Sequence, residues 1–168
     1  MLIMGIDPGI AITGYGLIKV KNGVMTLVEF GCIRTSPDKT LEVRLMKVYS
    51  RLSQVMEKEM PSCTVIEEIF FNKNTRSAMA VGQARGVSLL ASAHLNIPVH
   101  EYTPLQVKQA LVGYGRAGKD QVQEMVRLLL NLEDIPRPDD ASDALALAIC
   151  HAHSHRLDSL IKGKGWGR

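Results

Sequence analysis

The chain has 168 residues, of which 46% are apolar and 22% carry a charge, with a formal net charge of +3. This length suits one domain that needs no disulfides for stability, and the composition is that of an ordinary soluble protein. No apolar run approaches the roughly 20 residues that cross a bilayer, and the N-terminus shows no secretory signal, so we expect a cytoplasmic protein.

The first predicted elements are three strands. Residues 2–7 form an apolar run that ends in Asp-Pro-Gly, which is typical of a buried strand followed by a turn. Residues 12–20 and 24–34 flank the sequence Lys-Asn-Gly at 21–23, which favours a hairpin. The chain is therefore predicted to open with a three-stranded meander.

Two helices and two further strands are predicted next. Apolar residues at helical spacing indicate a helix over 41–59, followed by a strand over 64–69 and a last short strand over 98–102. Residues 75–95 contain no proline and many small side chains, so we expect a helix that another backbone can approach closely.

The C-terminal third is predicted to be helical. Pro104 favours a helix start, and Asp120 with Gln123 forms a possible capping box for the next helix. Residues 139–155, rich in alanine and leucine, predict a final buried helix. We therefore expect a single domain over 1–157 and a basic, flexible tail over 158–168.

Acidic residues end two of the predicted strands. Strands separated by a helix are normally parallel, and ligands bind beyond the carboxyl ends of such strands. Asp7 ends the first strand, and Glu67 and Glu68 end the fourth, so their carboxylates are expected to meet at one edge. Taken singly, Asp7 also fits a simple turn and Glu67 a surface charge.

The final helix adds Asp140 and Asp143, which are three residues apart and share one helix face. Acids in a first turn also complement the helix dipole. The rest of this helix is apolar nearly all round, however, and acids at the rim of a buried helix need partners. Carboxylates suit Mg²⁺ or Mn²⁺, and two such ions roughly 4 Å apart can activate a water and stabilise a leaving oxygen.

Five sequence blocks together resemble the successive motifs of the RuvC family of Holliday junction resolvases. The blocks are GIDPGIAITGYG (5–16), VIEEIFFNKN (65–74), GQARG (82–86), QVKQALVGYG (106–115) and DDASDALALAICH (139–151). The resemblance implies an α/β, ribonuclease H-like fold with a five-stranded mixed sheet flanked by helices. It assigns metal binding and catalysis to Asp7, Glu67, Asp140 and Asp143, and favours Glu67 over Glu68 because neighbouring strand residues face opposite ways.

The resemblance also implies a function. It indicates a structure-selective endonuclease that resolves four-way DNA junctions by paired, symmetric phosphodiester hydrolysis in recombination and repair. Two Mg²⁺ ions per active site are expected, with Mn²⁺ as a substitute. The implied partners are junction DNA, a second copy of the chain and the branch-migration proteins RuvA and RuvB.

The distribution of charge fits a polyanionic partner. Residues 72–119 carry six basic residues against one acidic residue, and residues 156–168 carry four against one. The resemblance places Lys108 and Lys119 beside the scissile phosphate and makes Lys119 a further catalytic residue. The expected DNA contacts are Phe70, Phe71, Lys73, Arg76, Lys108, Arg116 and Lys119. Either Phe70 or Phe71 is expected to stack on unpaired bases, and the choice stays open.

The helix predicted over 75–95 is the expected dimer interface. Its small residues Gly82, Ala84 and Gly86 would let two backbones approach, and Val87 and Leu90 would supply apolar contact. A two-fold dimer would present two active sites to two strands of like polarity.

Cysteine and histidine spacing predicts no further site. Cys32, Cys63 and Cys150 are widely spaced, without a CxxC pair, and are expected to be reduced thiols. His151 lies eight residues beyond Asp143, about 12 Å along a helix, which is too far to share its metal. We therefore interpret His151, with His153 and His155, as structural or solvated.

Two other functions remain to be distinguished. An actin-like phosphotransferase module also opens with a strand, an Asp-x-Gly turn and a hairpin, but it needs two such domains; ATP binding measured by calorimetry would identify it. A non-catalytic junction-binding protein would be hindered by four acids near its DNA. A nicking assay with and without Mg²⁺ would separate that alternative.

Overall fold

The computed structural model describes the backbone of residues 1–68 and 75–163 and the side chains of 1–68 and 79–155. The strands are β1 (Leu2–Asp7), β2 (Ile12–Lys21), β3 (Val24–Arg34), β4 (Cys63–Glu67) and β5 (Val99–Tyr102). The helices are α1 (Leu41–Glu59), α2 (Thr75–His94), α3 (Pro104–Val112), α4 (Lys119–Leu129) and α5 (Asp139–Gly163).

The strands form one mixed sheet in the order β3-β2-β1-β4-β5. Strands β1, β4 and β5 run parallel to one another, and β5 forms one edge of the sheet. Strands β1, β2 and β3 form the antiparallel meander. The expected five-stranded mixed sheet flanked by helices is confirmed. The turn between β2 and β3 has positive φ angles of 53° at Asn22 and 80° at Gly23, as a tight hairpin requires.

Helices cover both faces of the sheet. Alternate strand residues such as Ile3 and Val65 face a core shared with α3, α4 and α5. Their neighbours Met4 and Ile66 face the opposite core, which α1 and α2 complete. Because the side chains of a strand alternate between faces, Glu67 lies on the α5 side of the sheet together with Val65.

Helix α5 packs directly on glycines of the sheet. A Cβ atom at Gly5 would lie 1.8 Å from the carbonyl oxygen of Ala144, and one at Gly14 would lie 2.0 Å from that of Asp140. Both distances are far below any possible contact, so only glycine lets the helix approach this closely. Gly14 pairs with Asp7 across β1 and β2, and this approach therefore brings the start of α5 to the end of β1.

Three helix ends differ from the sequence expectations. Helix α4 begins at Lys119 and not after an Asp120 cap, because the side chain of Gln121 accepts a hydrogen bond from the backbone N–H of Gly118 at 2.8 Å. Helix α2 ends one residue early, at His94. Helix α5 continues to Gly163, beyond the predicted end at 155. The division into a domain over 1–157 and a tail stays a prediction.

The small residues of α2 do not all share one environment. Ala84 is fully buried against the chain's own core, so the prediction that it forms part of a dimer contact is wrong. Val87 packs partly against the same core. Gly86 has no neighbouring atoms within 4 Å where a side chain would stand, and Leu90 is 58% exposed. None of the described helices has the length and apolar character of a membrane span.

Candidate active site

A cavity of about 260 Å³ opens where the carboxyl ends of β1 and β4 meet helix α5. Its charged lining consists of Asp7, Glu67, Asp143, Lys108 and Lys119. Its apolar wall consists of Pro104, Val107, Val122, Ala146 and Leu147. Residues that are far apart in the sequence thus place three carboxylates and two ammonium groups around one space.

The strands explain how two of the carboxylates meet. The parallel register pairs Ile6 of β1 with Ile66 of β4, so Asp7 and Glu67 follow side by side at the strand ends. The side chain of Arg85 donates a hydrogen bond to the backbone carbonyl oxygen of Glu67 at 3.3 Å, which holds the end of β4. Glu68 is not part of the described cavity lining; its backbone N–H donates to the carbonyl oxygen of Tyr102 at 2.9 Å.

The electrostatics of the cavity disfavour ionised carboxylates. Burial raises the pKa of Asp7 to about 7, and the nearby charges of Asp143, Glu67 and Asp140 contribute further. Burial, followed by the charge of Asp143, also raises the pKa of Glu67. Asp140 does not line the cavity itself, but its backbone lies against Gly14, the partner of Asp7 across β1 and β2, and its charge contributes to the raised pKa of Asp7.

Lys119 is the cation that balances these acids. Its Nζ atom lies 3.1 Å from Oδ2 of Asp143 and 3.2 Å from Oδ2 of Asp139. Burial raises the pKa of Asp143, and the hydrogen bond from Lys119 acts against that rise. Burial also works to lower the pKa of Lys119, but its hydrogen bonds to Asp143 and Asp139 raise it overall.

Asp139 is a functional candidate that the sequence interpretation missed. Besides its contact with Lys119, its carboxylate accepts a hydrogen bond of 2.5 Å from Arg137. Asp139 therefore holds Lys119 at the mouth of the cavity without lining it. In the sequence, Asp139 directly precedes Asp140 and resembles an ordinary first-turn acid. That pattern does not indicate a contact with Lys119.

The carboxylates fit divalent metal binding. Three of them converge on one cavity, and their oxygens are the ligands that hard cations such as Mg²⁺ prefer. Burial, followed by mutual repulsion, raises the pKa values of Asp7 and Glu67, and a bound cation would act against both rises. Lys108 and Lys119 supply two positive charges around the cavity, and a divalent cation would add more.

The predicted DNA contacts fall into three groups. Lys108 and Lys119 line the cavity, and Arg116 is exposed on the loop between α3 and α4. Phe70, Phe71 and Lys73 lie outside the described residues. Arg76 lies in α2, where the structure describes the backbone only.

Comparison with known proteins gives consistent matches over nearly the whole chain. The family described as "Crossover junction endodeoxyribonuclease RuvC" matches residues 3–151. A protein of that name from Pelotomaculum thermopropionicum is 55% identical, covering 98% of this chain and 100% of its own length. Another from Alkaliphilus metalliredigens is 52% identical, with 98% and 100% covered.

Solved structures agree. The structure described as Thermus thermophilus RuvC in complex with a Holliday junction substrate superposes with a TM-score of 0.90 at 38% identity, covering 95% of this chain and 97% of that one. The yeast mitochondrial Holliday junction resolvase Ydc2, at 12% identity and a TM-score of 0.62, shares the fold. The fold is thus ribonuclease H-like, as expected, and the chain belongs to the crossover junction endodeoxyribonuclease RuvC family.

Proposed function

We propose that this chain resolves four-way DNA junctions by hydrolysing phosphodiester bonds with two divalent ions, Mg²⁺ normally and Mn²⁺ as a substitute. The observation that carries the proposal is the convergence of Asp7, Glu67 and Asp143 on one cavity, with Asp140 at its rim. Membership of the resolvase family supports junction DNA as the substrate.

Each charged residue of the cavity has a separate role. Asp7, Glu67, Asp140 and Asp143 would hold the ions, which would supply activation of the attacking water and stabilisation of the leaving 3′ oxygen. Lys119 neutralises negative charge that builds up on the scissile phosphate. Its ammonium group lies 3.1 Å from Asp143, so it is already positioned beside the carboxylates of the cavity. The apolar wall of the cavity limits the access of bulk water.

Further contacts hold the junction. Lys108, at the cavity, and exposed Arg116 contact phosphates. Lys73 and Arg76 are proposed as further contacts to the phosphate backbone. Phe70 or Phe71 stacks on bases at the crossover. The chain acts in the cytoplasm as a homodimer and receives junctions from RuvA and RuvB.

The direct test is a cleavage assay on a synthetic four-way junction. We expect paired nicks in strands of like polarity with Mg²⁺, none with a chelator, and none on linear duplex of the same sequence. Asp7→Asn, Glu67→Gln, Asp140→Asn and Asp143→Asn should each bind junctions but not cut them, since loss of a negative charge leaves phosphate contacts intact.

Glu68→Gln is the matched control and should cut at the wild-type rate. An inactive Glu68→Gln beside an active Glu67→Gln would show that the wrong glutamate has been assigned. A wild-type protein that binds junctions but fails to cut with either ion would identify a junction-binding protein without nuclease activity.

A further inference from the structure

A second group of metal-ligating side chains lies apart from the acidic cavity. Cys63, His100 and His151 each offer one ligand atom, and these atoms all lie within 4.8 Å of one another. The group contains one thiol and two imidazoles and no carboxylate. It therefore differs in chemistry from the site of Asp7, Glu67 and Asp143.

The fold brings the three residues together from three elements. Cys63 begins β4, and Val65, two residues further on the same face, pairs with His100 of β5. Helix α5 covers this face and contributes His151, whose ring stacks on that of His100 at a centroid distance of 4.2 Å. The sheet and the helix thus define the group without any loop.

The group is well separated from the acidic cavity. Cys63 and Glu67 are four residues apart on one strand, or about 13 Å. His151 and Asp143 are eight residues apart on one helix, or about 12 Å. One ion cannot bind to both groups.

Sulfur and imidazole ligands select zinc or a similar soft cation over Mg²⁺. Zinc bonds of about 2.3 Å to sulfur and about 2.0 Å to nitrogen put tetrahedral ligand atoms roughly 3.5 Å apart. The ligand atoms need to approach by up to about 1.3 Å, and the stacked rings of His100 and His151 need to turn so that their in-plane lone pairs meet at the ion. His100 is exposed, so an ion can enter from solvent, whereas Cys63 and His151 are buried and shield it.

Neighbouring groups suit such a site. The hydroxyl group of Tyr102 lies 2.9 Å from Nδ1 of His151, so we assign Nε2 of that ring to the ion. A hydrogen bond on the second nitrogen of a metal-binding histidine is the usual means of orienting its ring. His155 lies one helical turn beyond His151, with ring centroids 6.0 Å apart, and is the candidate for the fourth ligand. It lines a neighbouring cavity of about 310 Å³, which gives its ring room to turn.

We propose that Cys63, His100 and His151 form a structural zinc site that ties β4 and β5 to α5. An ion there fixes α5 against the sheet. The point of attachment lies further along the helix than its start, which carries Asp140 and Asp143. The site adds a constraint to the apolar packing, the Tyr102–His151 hydrogen bond and the ring stacking that already join these elements.

Cobalt binding to the whole protein tests this proposal. Co²⁺ is added in the presence of excess Mg²⁺, which keeps the carboxylate site occupied. Thiolate ligation gives a charge-transfer absorption band in the near ultraviolet that oxygen ligands do not give. We expect the band in the wild type, its displacement by one equivalent of Zn²⁺, and its loss in Cys63→Ser. Cys32→Ser, which alters a half-buried thiol on β3, is the matched control and should keep the band.

Thermal unfolding provides a second measurement, because Cys63→Ser alters a buried position. Zn²⁺ at about 100 times its Kd should raise the wild-type Tm by roughly 5–10 °C. His100→Ala changes an exposed side chain, so it should fold normally and lose most of this shift. The proposal is overturned if the wild type shows neither band nor shift, or if both survive in Cys63→Ser and His100→Ala.

Discussion

Asp7 is the most strongly perturbed acid of the cavity, and its position explains why. It ends the central strand β1, where burial and three neighbouring carboxylates all act against its ionised form. Lys119 opposes this effect but is itself divided between Asp143 and Asp139. The metal-free protein therefore stores unfavourable electrostatic energy at the cavity, which a divalent cation would relieve.

The stability of the metal-free protein should consequently fall as the pH rises from about 4 to about 7. In this window an unfolded aspartate, with a pKa near 3.9, has lost its proton, whereas the folded Asp7, with a pKa of about 7, retains it. The folded state binds more protons, so raising the pH favours unfolding, by an amount on the order of 1–3 kcal/mol. Thermal unfolding in chelator between pH 4.5 and 8 measures this slope.

Asp7→Asn should flatten the slope, whereas Asp134→Asn, at an exposed position after α4, should not. Saturating Mg²⁺ should raise the Tm more at pH 8 than at pH 5. A wild-type slope of opposite sign, unchanged by Asp7→Asn, would show that Asp7 does not carry the electrostatic cost.

Lys119 and Arg116 are close in sequence but differ in surroundings. Lys119 contacts Asp143 at the cavity, whereas Arg116 is exposed on the preceding loop. We expect Lys119→Ala to slow single-turnover cleavage more than it weakens junction binding, because its charge acts mainly in the transition state. Arg116→Ala should instead weaken binding and reduce the salt slope by about one. Equal losses of rate and affinity in Lys119→Ala would reduce Lys119 to a plain phosphate contact.

At the scale of elements, the sequence predicted most of the fold because local patterns determine it. Apolar runs, the Lys-Asn-Gly turn and Pro104 defined most strands and helices to within about two residues, whereas α5 extends eight residues beyond its predicted end. The pairing of Asp7 with Glu67 followed from parallel strands, and the alternation of strand side chains favoured Glu67 over Glu68. These predictions require only the regular spacing at which side chains repeat along a helix or a strand.

The features that sequence did not predict depend on tertiary contacts. Ala84 and Gly86 look equivalent in the sequence, but only Ala84 faces the core, which depends on how α2 rotates against α1. Cys63, His100 and His151 show no motif because they meet across β4, β5 and α5. Their proximity becomes visible only when the strand order is known.

The contact between α5 and the sheet determines whether the active site forms. A methyl group at Gly14 would collide with the backbone of Asp140, which a side-chain rotation cannot relieve. We expect Gly14→Ala to push the start of α5 outward, to cost about 1–3 kcal/mol of stability and to lower cleavage at least about 100-fold. Chemical denaturation and single-turnover cleavage measure both effects.

Gly115→Ala is the matched control. Its added methyl group would meet side-chain atoms and no backbone: chiefly Leu105, which is 54% exposed and can rotate away, and at 3.8 Å the side chain of Gln109. It should cost less than about 1 kcal/mol and leave cleavage near the wild-type rate. If Gly14→Ala behaved in the same way, the close approach of α5 would not be needed to position Asp140.

At the scale of the whole molecule, paired cutting requires two active sites on one junction. Each chain contributes the one acidic cavity described above, and in the proposed homodimer the second copy would supply the other. Helix α2 remains the proposed interface, but the burial of Ala84 and the partial burial of Val87 leave a different face for the partner. That face includes Met79, Gly86 and Leu90, with Met79 65% and Leu90 58% exposed.

Leu90→Glu should therefore convert the dimer to a folded monomer. The substitution adds a charge to an exposed apolar side chain, so it should leave the monomer fold intact while opposing burial against a partner. Leu128→Glu, at an equally exposed leucine on α4, should remain dimeric. Light scattering gives the molecular mass of each variant in solution. Cleavage of a plasmid that extrudes a cruciform distinguishes paired cuts, which linearise the plasmid, from single nicks, which do not. A Leu90→Glu protein that stays dimeric would exclude this face, and a wild-type monomer on the junction would contradict the paired-cut mechanism itself.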